Sequence, residues 1–468
     1  MRNFNHYSFI PNEKTGLIYL IFIVMFSQGC LNNNQGKKTD STLVHLITLA
    51  PGHFHAALLQ KSMYGQIDST VYVFAPDGPE VKSHLALIDQ YNTRADNPTG
   101  WKEKVYTGPD YLEKMLKEKP GNVVVIAGNN QGKTDYIKKS VDAGLNVLAD
   151  KPMAITKAGF DKLQEAFAVA KKNEVLLYDI MSERYEITNI LQKAFSRLPD
   201  VFGELKKGTL ENPAITFESV HYFYKEVSGS ALVRPAWYFD VRQQGEGIVD
   251  VTTHLVDLIQ WECFPEMILN YKKDIQMLSA RHWATILTPS QFRQVTKKDT
   301  YPDFLKKDVK DSLLNVYANG EMNYTIKGIH ARVSVIWKYQ APKGTGDTYY
   351  SMLQGTKANL VIRQGKEQQY KPILYIEPVN TGNQNTWEQA LENGLRNKYP
   401  GVALKKSKES WEVIIPEKYK IGHEQHFALV IKKYLGYLQE DSMPDWEISG
   451  MLAKYYTTTQ ALEKAINK

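Results

Sequence analysis

An aspartate and a histidine four residues apart are the first candidates for chemistry in this sequence. Asp250 and His254 follow a glycine-rich lead that contains Gly245 and Gly247, and Asp257 continues the same stripe. On a helix this spacing places the side chains on one face, and the surrounding residues are apolar enough to predict burial. A buried carboxylate and imidazole need partners. The pair could be a satisfied core pair, part of a metal site whose third and fourth ligands are not evident, or a histidine general base oriented by the aspartate.

A lysine stands at a second position suited to catalysis. Asp150, Lys151 and Pro152 come at the end of a predicted strand. Open α/β sheets bind ligands at the carboxyl ends of their strands. A lysine there can hydrogen-bond a substrate hydroxyl and stabilise developing alkoxide charge. The alternative is an ordinary loop.

The turn after the first predicted strand has the position of a nucleotide-binding turn. It contains Pro51, Gly52, His53 and Phe54 and leads into a predicted helix. A dinucleotide-binding turn normally reads G-x-G-x-x-G, because glycines let the backbone approach the pyrophosphate. Only Gly52 remains of that pattern. We predict that this turn binds the pyrophosphate, with histidine side chains replacing backbone donors, and an ordinary βα turn is the alternative.

An acidic residue follows the second predicted strand. Asp77 lies 25 residues after Gly52. An acidic group at this place can bind the ribose hydroxyls and favours NAD over NADP. Asp77 is also typical of a turn, since it lies in the run Pro-Asp-Gly-Pro.

The elements that would position these residues alternate between strand and helix in the first half of the chain. Apolar strand-like runs cover residues 44–50, 70–75, 122–128, 146–150 and 174–180. Strands separated by helices of this length predict right-handed βαβ units and a doubly wound parallel sheet. We therefore predict a Rossmann-type nucleotide-binding domain over residues 43–181.

The second half is predicted to be an α+β domain over residues 182–468. Its strand-like segments are 214–224, 328–341, 348–355, 358–365 and 373–379. Apolar and polar residues alternate along these segments, and turns join them, which predicts a large, mostly antiparallel open sheet. One long helix is predicted near 247–262, and C-terminal helices are predicted to pack back. The open sheet is the predicted surface for a homo-oligomer.

The N-terminus carries a predicted export signal. Residues 16–26 form an apolar run that is shorter than the roughly 20 residues that span a bilayer. We predict a signal peptide over residues 1–30 and a linker over 31–42. Gly29 before Cys30 is typical of a bacterial lipoprotein cleavage site, and lipidation of Cys30 would tether a periplasmic or cell-surface protein. An ordinary signal peptide or an uncleaved anchor are the alternatives.

Composition restricts the partners. The net charge of +6 comes from 57 basic and 51 acidic residues scattered along the chain, so no nucleic-acid surface is predicted. The 28 Tyr and 8 Trp suit a carbohydrate partner, because flat rings pack on sugar faces. Apart from Cys30 the only cysteine is Cys263, which excludes an internal disulfide framework. No metal site is predicted.

Together these motifs resemble the glucose–fructose oxidoreductase/inositol dehydrogenase family (Gfo/Idh/MocA). The family's E-K-P is matched by Asp150-Lys151-Pro152, with Asp in place of Glu. Its glycine-rich lead into D-x-x-x-H-x-x-D is matched by Gly245, Gly247, Asp250, His254 and Asp257. Its I-A-T-P-N loop is similar to Ile126-Ala127-Gly128-Asn129-Asn130, and its R-F or R-Y is similar to Arg184-Tyr185.

The resemblance implies roles for individual residues. Lys151 would contact the reacting hydroxyl and the nicotinamide ribose, His254 would be the acid/base, and Asp250 a supporting or substrate-binding carboxylate. The residues implied at the cofactor, beside those of the first turn, Asp77 and Lys151, are Gly128, Asn129 and Asn130. Those implied at the substrate, beside Asp250 and His254, are Arg184, Tyr222, Trp237 and Tyr238.

The predicted function is a nicotinamide-dependent oxidoreductase acting on a secondary hydroxyl or ketone of a sugar, glycoside or polyol. Since free NAD is not maintained outside the cytoplasm, we expect a tightly bound cofactor, NAD or NADP, recycled within the site. Redox-neutral glycoside cleavage, in which oxidation at C3 acidifies the C2–H, stays open. So does a non-catalytic sugar-binding lipoprotein on a degenerate Rossmann scaffold.

Overall fold

A computed structural model describes residues 43–227 and 230–467 of the chain. Leu43–Lys468 form one compact unit that contains both predicted sheets. The predicted signal peptide over 1–30, with Cys30, and the predicted linker over 31–42 lie outside the described residues. In the described ranges no helix combines the length and the apolar character needed to cross a membrane.

The first half contains a six-stranded parallel sheet. Its strands are β1 Leu46–Leu49, β2 Thr70–Phe74, β3 Lys102–Tyr106, β4 Val123–Ile126, β5 Asn146–Asp150 and β6 Leu177–Ile180. Their order in the sheet is β3-β2-β1-β4-β5-β6. The first three strands are added towards one edge of the sheet and the next three towards the other, so the strand order switches between β1 and β4, and a sheet of this kind opens a ligand-binding crevice at that point. The predicted Rossmann-type sheet is confirmed.

Helices flank this sheet. They are α1 His55–Leu58, α2 Pro79–Thr93, α3 Tyr111–Glu118, α4 Lys133–Asp142 and α5 Lys157–Lys172. The α-helix after β1 has only four residues, His55–Leu58, and the chain then continues as a 3-10 helix over Leu59–Lys61. Helix α5 begins at a cap in which the Thr156 side chain accepts a hydrogen bond from the backbone N–H of Gly159.

The second half is built on a ten-stranded sheet in the order β10-β12-β13-β7-β14-β15-β16-β18-β17, with β11 beside β12. These strands are β7 Ile215–Tyr224, β10 Ile275–Leu287, β11 Val309–Lys310, β12 Leu313–Ile326, β13 Ile329–Gln340, β14 Thr348–Gln354, β15 Ala358–Gln364, β16 Ile373–Pro378, β17 Ala403–Lys406 and β18 Trp411–Ile414, while β8 Glu226–Val227 and β9 Ser230–Ala231 form a separate ribbon. All neighbours are antiparallel except β7 and β13. The predicted, mostly antiparallel sheet is confirmed.

The helices of this half are α6 Ile187–Ser196, α7 Val241–Gln244, α8 Thr252–Cys263, α9 Tyr271–Asp274, α10 Pro289–Thr296, α11 Gln384–Asn393, α12 His423–Glu440 and α13 Asp445–Ile466. The helix predicted over 247–262 starts too early, since residues 247–250 form turns and α8 begins at Thr252. Helix α8 shares one apolar core with β7, β12 and β13.

The two C-terminal helices join the two halves. Phe427 and Tyr434 of α12 and Tyr455 of α13 lie in the same core as the parallel strands. Ala453 and Leu462 of α13 lie in the core under the larger sheet. Helix α13 therefore holds the crevice of the first half against the face of the second.

Candidate active site

Lys151 and Asp250 form an ion pair between the two halves of the structure. Nζ of Lys151, just after β5, donates to Oδ1 of Asp250 at 2.7 Å. Gln244 Nε2 donates to the other carboxylate oxygen at 2.9 Å. Burial lowers the pKa of Lys151, but the carboxylates of Asp250 and Asp150 outweigh it and raise that pKa above its ordinary value. Lys151 is therefore a charged hydrogen-bond donor.

His254 supplies a neutral imidazole in the first turn of α8. Burial, together with the charge of Lys151, holds the pKa of His254 well below its usual range. Its Nδ1 is buried and has no hydrogen-bond partner among the described residues. A neutral ring with an available nitrogen can accept the proton of a substrate hydroxyl. The structure thus brings Lys151, Asp250 and His254 together.

A crevice lies at the carboxyl ends of β1, β2 and β4. Its cavity has a volume of about 570 Å³ and is lined by Pro51, Gly52 and Asn129 among others. Gly52 meets Gly128 backbone to backbone: a Cβ on Gly128 would lie 2.5 Å from the carbonyl oxygen of Ala50 and 2.9 Å from N of Gly52. Such close backbone approach is what a pyrophosphate-binding turn requires. A nicotinamide dinucleotide fits this crevice in spite of the divergent turn.

Substituting Gly128 tests this packing. Because the atoms that an added Cβ would meet belong to backbone, Gly128→Ala has to displace the first turn. We expect NAD affinity to fall about tenfold or more, the effect of overpacking by 1–3 kcal/mol. Calorimetric titration with NAD measures it. In Gly65→Ala the added Cβ meets nothing within 4 Å, so this control should bind NAD normally. Unchanged affinity in Gly128→Ala would contradict the crevice assignment.

The asparagines after β4 hold the segment that leads to Asp250. Nδ2 of Asn129 donates to Oε1 of Gln243 at 2.7 Å, and Nδ2 of Asn130 donates to the carbonyl oxygen of Gln244 at 2.6 Å. Asn129 also lines the crevice, whereas Asn130 is buried behind it. The positioning residues Gln243 and Gln244 carried no recognisable sequence signal.

Three predicted cofactor residues lie elsewhere than the pattern indicated. The side chain of Asp77 is 66% exposed and pairs with Lys82 at 3.2 Å, outside the residues that line the crevice. Glu80, in the first turn of α2, lines the crevice instead. His53 turns inward, with Nδ1 3.2 Å from Oδ2 of Asp150. Phe54 is exposed at the rim of a neighbouring cleft.

Arg184 is placed in the interior and not at a substrate pocket. Its Nε and Nη2 donate to the two carboxylate oxygens of Asp257 at 2.6 and 2.7 Å, and Nη1 donates to Glu447 at 2.9 Å. All three donor nitrogens are engaged, so the predicted substrate contact is not supported by the geometry. Arg184 and Asp257 instead anchor helices α8 and α13.

The aromatic candidates divide between two faces. Alternate side chains of β7 point to opposite faces, so His221 shares a face with Phe217 and Phe223 while Tyr222 lies on the other. Trp237 lines the crevice and also, with Tyr238, a larger adjoining cleft of about 950 Å³. Trp237 and Tyr238 are therefore placed for a ligand, whereas Tyr222 is not among the residues that line these two cavities.

A second polar cluster, which the sequence analysis missed, lies beside these aromatic residues. Asp347 Oδ2 is 3.0 Å from Nδ1 of His221 and 2.6 Å from Nζ of Lys225. His221 stacks on Trp337 with ring centroids 5.0 Å apart. Burial raises the pKa of Tyr238, and the charges of Asp250 and Asp347 raise it further against the opposing charge of Arg234. The one sequence signal for His221 was the alternation of side chains along the segment that forms β7.

A Rossmann crevice, a large open sheet and a lysine between the two halves are together typical of one class of protein, the nicotinamide-binding oxidoreductases. Residues 191–466 match a family profile described as "Putative oxidoreductase C terminal domain", and residues 69–179 match "Oxidoreductase family, NAD-binding Rossmann fold". The chain belongs to the Gfo/Idh/MocA family of oxidoreductases, as its motifs predicted. The family identifies a nicotinamide cofactor.

Solved structures of other proteins share this fold. A protein from Parabacteroides merdae described as a "putative oxidoreductase" is 56% identical, with 91% of this chain and 98% of that chain covered and a TM-score of 0.89. A 3-ketoreductase from Actinomadura kijaniata with bound NADP shares the fold at 11% identity, covering 88% and 95% with a TM-score of 0.52. A protein of gentamicin A biosynthesis with bound NAD does so at 12% identity, covering 92% and 96% with a TM-score of 0.53. No curated protein gives a significant match.

Proposed function

We propose that this protein oxidises a secondary hydroxyl, or reduces the matching ketone, of a sugar, glycoside or polyol. The observation that carries the proposal is the Lys151–Asp250 ion pair at 2.7 Å, just after β5, together with the buried and unpartnered Nδ1 of His254, whose pKa burial and the charge of Lys151 lower. Interconversion of an alcohol and a ketone needs one group that stabilises negative charge on oxygen and another that moves a proton. Lys151 is the charged group that can stabilise the oxygen, and His254 is the neutral group that can accept the proton.

The nicotinamide, when bound, supplies or accepts the hydride. Gly52 and Gly128 would hold its pyrophosphate, and Glu80 is placed for the adenosine ribose, which favours NAD over NADP. The Lys151 ammonium, oriented by Asp250, donates to the reacting oxygen and stabilises its charge. His254 takes the hydroxyl proton during oxidation and returns it during reduction.

The adjoining cleft supports a sugar as substrate. Trp237, Tyr238 and Arg234 line it, and the guanidinium of Arg234 lies 4.6 Å from the ring centroid of Tyr238. Aromatic faces next to fixed charged donors and acceptors match the alternating apolar faces and hydroxyl edges of a sugar. The Actinomadura kijaniata relative is described as a 3-ketoreductase, which agrees with this chemistry.

A second candidate, redox-neutral cleavage of a glycoside, is favoured by the pair formed by His221 and Asp347. That reaction needs a further acid–base group to remove the proton beside the ketone and to assist the leaving group. Hydride exchange alone does not use such a group. For either reaction we propose an exported, lipid-anchored protein that keeps its NAD bound, and a homo-oligomer formed through the open sheet.

Two measurements test the proposal. Denaturation of purified protein should release NAD, identified by mass and absorbance. Incubation with a panel of glycosides and keto-sugars should then give products that have lost two hydrogens, or gained water if the glycoside is cleaved, by mass spectrometry. A protein that neither releases nor binds NAD or NADP, and converts nothing, would instead be the non-catalytic sugar binder.

A further inference from the structure

Two histidines and an aspartate meet beside the crevice, next to the Lys151 pair but not part of it. His53 lies in the turn after β1, His55 is the first residue of α1, and Asp150 is the last residue of β5. The carboxyl ends of β1 and β5 are on the same edge of the sheet, on either side of β4. Three potential ligand groups from distant parts of the chain are therefore brought to one point.

The spacing of their donor atoms suits a metal ion. Nδ1 of His53 is 3.2 Å from Oδ2 of Asp150, and Nδ1 of His55 is 3.1 Å from both oxygens of that carboxylate. One donor atom from each residue lies within 4.8 Å of the others. In a tetrahedral zinc site with bonds of about 2.0–2.2 Å, donors lie roughly 3.3–3.5 Å apart. The three side chains need only small adjustments to reach that arrangement.

We propose that His53, His55 and Asp150 bind a divalent transition-metal ion, with Zn²⁺ the best match to their two nitrogens and one oxygen. No metal was expected from the sequence, because two of the ligands come from a turn read as a nucleotide-binding motif. Three protein ligands leave a fourth position open for water or another small ligand.

The Asp150 carboxylate is not occupied by the buried lysine beside it. Lys133 Nζ donates to the backbone carbonyl of Asp150 at 2.9 Å, which leaves the carboxylate oxygens available.

A second observation points to a ligand at the same place. Nδ1 of His53 is buried and makes no hydrogen bond of acceptable geometry to any described residue, although it faces the Asp150 carboxylate. Buried ring nitrogens are normally paired. A metal ion between the two groups would satisfy Nδ1. It would also fix the turn that lacks the usual glycines, because it would tie the second half of that turn and the start of α1 to β5.

Metal titration of the full chain, first stripped with chelator and without nucleotide, tests the site. We expect about one equivalent of Co²⁺ to give the visible spectrum of a four- or five-coordinate nitrogen–oxygen site, and Zn²⁺ to displace it. His53→Ala and His55→Ala should each weaken binding by at least about 100-fold, more than the loss of an outer partner costs. The matched control is His45→Ala, which removes a histidine that precedes the opposite end of β1 and should leave binding unchanged.

Circular dichroism shows whether each variant folds. His55 is buried, so its substitution could unfold the turn; the His53 side chain is 35% exposed, and His53→Ala then decides the result. Wild-type protein that binds neither Co²⁺ nor Zn²⁺ would overturn the proposal, and so would binding that survives in folded His53→Ala. The readout is spectroscopic, so its outcome is independent of whether the protein oxidises sugars.

Discussion

Replacing Lys151 with methionine is expected to lower the rate of hydride transfer by about 10²–10³-fold, the loss measured when one donor to a developing oxyanion is removed. Methionine keeps much of the length and apolar stem of the side chain but cannot donate a hydrogen bond or carry charge. Asp250, which accepts from Lys151 at 2.7 Å, would retain the amide of Gln244 as its partner.

The kinetic pattern separates catalysis from a structural effect. Because the donor acts mainly on the transition state, kcat and kcat/KM should fall together. Lys157→Met is the matched control, since Lys157 is an exposed lysine of α5 that pairs with Asp161. A Lys151→Met protein that retains wild-type kcat on any accepted sugar would show that another group stabilises the oxygen.

Lys454→Met is expected to reduce the free energy of unfolding by about 3–5 kcal/mol, as when one partner of a buried ion pair is removed. Lys454 of α13 is completely buried and its Nζ lies 2.7 Å from Asp257 and 2.6 Å from Asp179. The substitution leaves two carboxylates in the interior without their shared cation. These residues belong to a buried network of three acidic and three basic side chains: Asp179, Asp257, Glu447, Arg184, Lys433 and Lys454.

Denaturant unfolding followed by circular dichroism measures this loss. Lys464→Met removes an exposed lysine from the same helix and should unfold at the wild-type midpoint. The network connects β6, α8, α12 and α13, so the loss should appear in the cooperative transition of the whole unit. A change below about 1 kcal/mol would show that the carboxylates find water or protonate at little cost.

The parallel strands could be located from local pattern because each is buried on both faces. Strands β1 and β4 are buried at every position and therefore read as continuous apolar runs. Strand β10 was missed for the opposite reason: it lies at the sheet edge and is mostly half-exposed, and bulges interrupt its register with β12, so it shows no clean alternation. Strand β12 does alternate between buried and more exposed positions along most of its length, and the sequence analysis overlooked that pattern.

The motif residues were found with unequal success. Lys151 and Asp250 belong to short motifs whose place after a strand or before a helix restricts where their side chains can point. Arg184 also belongs to a short motif, yet its partners Asp257 and Glu447 are 73 and 263 residues away. A local pattern contains no information about such a partner, so the sequence could not distinguish a substrate contact from an internal anchor.

The succession of strands and helices along the chain and the chemical types at the strand ends follow from the amino-acid order, because they depend on neighbours within a turn or a strand. Side-chain partnerships do not. His221 meets Asp347 across 126 residues, and His55 meets Asp150 across 95. Contacts of this kind arise when sheets pack and strand ends converge, so folding alone decided which polar groups form the oxidoreductase site and which form the proposed metal site.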